Sequence, residues 1–245
     1  MRAGIKLGRI AGIEVGLHYS WFIIAILIIF SLKDQFGMMD PDWSPMLMWA
    51  IAVVTAVLFF VALLLHEFAH SLVAKSRGLK VRAITLFALG GVSQIESEPS
   101  NANSEFWIAI AGPLTSVAIG LLCLGLRRLL FPGAASEPAQ PAAALLVWLG
   151  RINLVLAIFN MIPGYPLDGG RVLRAIIWAI GRNQERATRW ASHVGQTVAV
   201  LFILYGVFEF FTGRNYQGLW LAFIGWFLLE ASTQQLHLIS GLRGG

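Results

Sequence analysis

Long apolar runs separated by short polar stretches set the pattern of this chain. Six runs stand out: Leu17–Leu32, Met46–Ala74, Phe106–Leu130, Ala142–Ile162, Trp190–Thr212 and Tyr216–Leu236. Roughly twenty apolar residues cross a bilayer as one helix. Each run is therefore read as a transmembrane helix. The first carries His18, Tyr19 and Trp21 at its head, where aromatic side chains meet headgroups. The fourth is interrupted by Arg151 and Asn153.

Two stretches break this pattern. Val81–Ile95, VRAITLFALGGVSQI, is rich in β-branched and aromatic residues and too short to span as a helix. Gly90–Gly91 divides it, so it is read as a hairpin or bent strand. Asn160–Arg171, NMIPGYPLDGGR, holds two prolines and three glycines, which forbid a regular helix through it. Irregular backbone at membrane depth is tolerated only inside protein or along a wet cavity. A short helix is expected to restart over Val172–Ile180. Lys33–Pro45 reads as a polar loop, and Gly213–Arg214–Asn215 as a tight turn. The expected fold class is an all-α polytopic membrane protein: six transmembrane helices with a short membrane-associated β-hairpin near residues 81–95. Residues 1–16 read as a basic interfacial leader, residues 17–236 as the six-span domain and residues 237–245 as a tail.

Composition sharpens this. Of the 245 residues 57% are hydrophobic and 13% charged, about half the charge a soluble domain carries. The single cysteine, Cys123, excludes an intramolecular disulfide and a multi-cysteine metal site. The net charge of +5 is assigned to membrane orientation rather than to nucleic acid. With six spans and both termini in the cytoplasm, thirteen Lys and Arg fall inside and four outside, with Arg151 within a span. The positive-inside rule favours that orientation. The first run lacks a small-x-small cleavage site and is read as a retained span.

The chemistry lies at the end of the second run, in VALLLHEFAHSLVAK. His66 and His70 are four apart, a turn of about 400° in a helix, so both rings lie on one face. Two neutral imidazoles so placed suit a divalent metal of the zinc type. Glu67 beside them can take a proton from water activated by that metal. This is the HExxH pattern. A catalytic zinc site needs a third protein ligand. Asp168, in the broken segment about a hundred residues on, is the strongest candidate, with helix capping as its other reading. Asn160 either holds substrate backbone or ends a helix. Leu86–Ile95 with Gly90–Gly91 offers a strand edge to which an unwound substrate can add. His18, His193 and His237 sit at span ends and read as headgroup residues. Arg151 has no account.

HEFAH at a span end, Leu89–Gly91, Ala111–Pro113 and Asn160–Arg171, in this order, resemble the site-2 protease family of intramembrane zinc metalloproteases. The resemblance runs from about Leu17 to Leu236. It implies one Zn2+ per chain on His66, His70 and Asp168, with Glu67 as the catalytic base. It implies Asn160, Gly90 and Gly91 as substrate contacts. It also implies a membrane-anchored protein substrate, such as a single-span anti-sigma or transcription factor. The HYSW start, His18–Trp21, resembles the branch that carries a pair of CBS domains after the last span. The expectation here is a chain without them, its last residue being Gly245.

Two other classes compete. A zinc transporter also places His, Asp and Glu in spans, but five histidines and no histidine-rich loop argue against it. An inactive, protease-derived binding protein is opposed by the intact Glu67.

Overall fold

The longest helix begins at a built cap. The Ser44 hydroxyl accepts a hydrogen bond from the Leu47 amide, and Pro45 occupies the first turn, where no amide partner is needed. From there 32 residues, Pro45–Ser76, run as one helix, about 48 Å long at 1.5 Å per residue. A computed structural model places this helix in the order β1 (Ile5–Ile10), β2 (Ile13–Leu17), α1 (Ser20–Met39), α2 (Pro45–Ser76), β3 (Val81–Phe87), β4 (Gly90–Ile95), α3 (Ala102–Leu130), α4 (Pro141–Asn160), α5 (Asp168–Gly181), α6 (Gln184–Phe211), α7 (Gln217–Gly241). The structure describes residues 4–88, 90–132, 140–213 and 217–241.

The chain forms two units. One comprises Met1–Glu98 with Ala111–Ile158, the other Pro99–Ile110 with Phe159–Gly245. In the first, Leu32 and Phe36 of α1, Ile51, Ala52 and Ala56 of α2 and Ala144 of α4 share one apolar cluster. Its four-stranded sheet has the order β1-β2-β3-β4. β2 and β3 run parallel, joined by the α1–α2 crossover, and both outer pairs are antiparallel. In the second unit, Leu167, Ala199 and Leu228 form the centre, with Phe159, Phe202 and Ile224 packed around them.

Five helices among the described residues are long and apolar enough to cross a membrane: α1, α2, α3, α4 and α6. The sixth expected span, α7, is helical but not among them. Glu230, Thr233, Gln234, Gln235 and His237 dilute its second half. The first span runs past its expected end at Leu32 to Met39. Helix hydrogen bonding does not require apolar side chains, and Phe36 is still fully buried, so Lys33–Gln35 ride on the helix rather than open a loop. The turn at Gly213–Asn215 lies partly outside the described residues.

The fold is mostly helical as expected, with a sheet larger than the expected hairpin. The hairpin near residues 81–95 is present as β3 and β4, but it is half of a larger sheet whose other half is the leader. Ile13, Val15 and Leu17 of β2 are buried and alternate with the half-buried Glu14 and the buried Gly16. Five residues, one of them glycine, carry too short a period-2 signal to stand out from a basic leader.

Candidate metal centre

On α2 the His66 and His70 side chains are buried, 2% and 4% exposed. Their Nε2 atoms lie 3.2 Å apart, with the rings near perpendicular at 78°. The Ser116 hydroxyl of α3 stands 2.9 Å from Nδ1 of His66. When that nitrogen donates to Ser116, the Nε2 lone pair is left for a cation, the usual arrangement behind a metal-bound histidine.

Gly112 of α3 faces the same two nitrogens. A Cβ built on it overlaps Nε2 of His70 and comes within 2.6 Å of Nε2 of His66. Only a residue without a side chain leaves room there, which gives Ala111–Pro113 a steric reason. Two buried imidazole nitrogens converging under an open cradle fit a divalent cation of the zinc type.

Glu67, next on α2, is half-buried. Its Oε2 accepts a hydrogen bond of 3.1 Å from the Ser93 hydroxyl of β4. Gly91 lies beside it, and a Cβ there would meet the Glu67 side chain. Gly90 opens β4 with φ +140, and Leu89 lies outside the described residues. β4 is a terminal strand of the sheet, pairing with β3.

In the second unit the broken segment ends where α5 begins. The helix starts at Asp168 itself, one turn earlier than expected. Gly169 and Gly170 fall in its first turn, where amides need no helical partner, so they do not break it. Leu167 is the N-cap, and Asp168 stands one residue inside it. Asp168 is 9% exposed, in the first turn, where the helix dipole favours an anion. The turn before it is clamped. The Tyr165 amide donates to Ala191 O at 3.2 Å, and the Ser232 hydroxyl donates to Tyr165 O. Asn160 is the last residue of α4, half-buried. Glu105, in the first turn of α3, pairs with Arg171 and Arg174 of α5.

The HExxH face and the PLDGGR segment carry the candidate residues expected from the sequence. Ser116 and Ser93 are not among them, because a single serine in an apolar helix or strand carries no local signal. Arg151 is exposed on α4, and nothing in the structure explains it.

The family model of peptidase family M50 matches residues 54–133 and 130–204. A solved structure, the site-2 protease from Methanocaldococcus jannaschii, is 31% identical with a TM-score of 0.62 and covers 95% of this chain and 94% of that one. The chain belongs to peptidase family M50, the site-2 protease family. Its curated relatives include the Rip3 protein of Mycobacterium tuberculosis, 37% identical over 98% of this chain and 60% of the relative. They also include zinc metalloprotease MJ0392 of Methanocaldococcus jannaschii, 34% identical over 84% of this chain and 55% of the relative. The chain thus spans about six tenths of the length of these relatives.

Proposed function

We propose that this chain is an intramembrane zinc metalloprotease that hydrolyses peptide bonds in or near transmembrane segments of membrane-anchored proteins. The observation that carries the reading is the His66–His70 pair, buried with Nε2 atoms 3.2 Å apart beneath the bare Gly112. His66, His70 and Asp168 hold the ion. The relatives' names as zinc metalloproteases support its identity. Bound there, zinc polarises a scissile carbonyl and acidifies water.

The remaining roles belong to the chain's own groups. The Glu67 carboxylate takes the proton of the attacking water and returns it to the leaving amine nitrogen. Ser116 fixes the tautomer and ring angle of His66. A peptide bond inside a helix is shielded, so the substrate must unwind before it is cut. β4, a terminal strand with Gly90 and Gly91 at its start, offers main-chain donors and acceptors to the unwound segment. Asn160 contacts the substrate backbone.

The chain crosses the bilayer six times, α7 being the sixth span, with both termini and the site towards the cytoplasm. The charge distribution supports this orientation. Substrates are single-span regulators such as anti-sigma or transcription factors, in the manner of regulated intramembrane proteolysis.

Metal content of the purified protein tests the ligand set. One zinc per chain is expected for the wild type, falling to background in His66→Ala, His70→Ala and Asp168→Ala. Full zinc in Asp168→Ala would remove Asp168 from the set.

A further inference from the structure

The proton acceptor of this site is held from outside its own helix. We infer that Ser93 is a positioning residue for Glu67, and that Ser71 completes the relay. The inference rests on the protease reading above.

Glu67 and Ser71 are four apart on α2 and share one face, which lies against β4. On β4, Gly91 and Ser93 are two apart and turn to the same side, towards α2, while Val92 between them is 44% exposed. Ser71 is fully buried, and its hydroxyl donates to Ser93 Oγ at 3.1 Å. Ser93 carries one hydroxyl proton. It has two acceptors in range: Oε2 of Glu67 at 3.1 Å and the Glu67 main-chain oxygen at 3.4 Å. The shorter contact goes to the carboxylate, the stronger acceptor when ionised. The donor order is thus Ser71 to Ser93 to Glu67.

Alanine at position 93 would fill the same space between α2 and β4, at the cost of the acceptor of the fully buried Ser71 hydroxyl. What alanine cannot do is fix one carboxylate oxygen. A free glutamate side chain has three rotatable bonds and many orientations. Gly91 leaves no neighbouring Cβ to crowd it, since one there would overlap Glu67 itself. The Ser93 bond is therefore what selects the orientation, leaving Oε1 for the water proton. Because Ser93 sits on β4, the strand proposed to receive the substrate also sets the acceptor. The distance between the paired peptide and the carboxylate is then fixed through one strand.

The test uses the full chain in detergent, zinc-loaded, acting on a synthetic single-span helix with fluorophore and quencher at its ends. Ser93→Ala is expected to lower kcat about tenfold, a part of the 10²–10⁴ that a positioned acid–base group supplies. KM and zinc content stay as in the wild type, and Ser93→Thr, which keeps the hydroxyl, recovers kcat to within about threefold. Ser71→Ala gives a smaller loss of the same kind. A Ser93→Ala protein with wild-type kcat overturns the inference. So does one whose loss lies in KM or in zinc content, or a Ser93→Thr protein as slow as Ser93→Ala. If the wild type itself cleaves nothing, or Glu67→Gln cleaves as well as the wild type, the protease reading falls and this inference with it. Failure of Ser93→Ala alone leaves that reading standing.

Discussion

Oε1 of Glu105 and Nη2 of Arg174 meet at 2.6 Å, with the Glu105 side chain fully buried and that of Arg174 4% exposed. Arg171, one turn earlier on α5, reaches the same oxygen at 3.1 Å. α5 opens with Asp168, so this cluster fixes the helix that carries the proposed third ligand. Removing one partner of a buried ion pair strands the others and costs about 3–5 kcal/mol. Glu105→Ala is expected to lower stability by that amount, read as a shift of the denaturation midpoint in SDS. The exposed pairs of Glu14 with Lys6 and Arg9 serve as the contrast. Solvent screens them, so Glu14→Gln should leave the midpoint in place.

Gly112 makes a sharper prediction, because its failure is steric and local. A methyl group there lands on the two histidine nitrogens. Gly112→Ala is expected to fold, since alanine favours a helix more than glycine does. It should nevertheless lose its zinc, measured as metal per chain after gel filtration. A Gly112→Ala protein with one zinc per chain would show that the histidine rings meet the ion from another side.

Ser116 acts one step further out. Its hydroxyl is the Nδ1 partner of His66 at 2.9 Å. Loss of such a partner lowers metal affinity about 10–100-fold. Ser116→Ala should therefore release zinc to a competing chelator at a correspondingly lower chelator concentration. Ser116→Thr, which keeps the oxygen, should not.

Much of the candidate site can be read from the sequence because its chemistry is written in short words. His66, Glu67 and His70 lie within one helical turn and a half, and the Asp168 segment is marked by its prolines and glycines. The helices are legible for the same reason, since each is a long run of one kind of residue. What hides is whatever depends on distant partners. β2 is a strand because Glu14–Leu17 pairs with Ala83–Leu86, some seventy residues away. Glu105 looks like a loop-edge acid until Arg171 and Arg174 come to it. Ser93 and Ser116 matter only through the helix each one faces. The glycines of PLDGGR mislead in the opposite way. In a helix interior they would break it, but in the first turn of α5 they cost little.

The role proposed for Glu67, acid–base chemistry at a zinc held by this chain, is open to a single comparison: wild type and Glu67→Gln, each loaded to one zinc per chain, on the quenched single-span helix. Zinc-dependent cleavage by the wild type is expected, with a loss of at least about 10²-fold in kcat for Glu67→Gln with its zinc retained. Cleavage by zinc-loaded Glu67→Gln at the wild-type rate would contradict it.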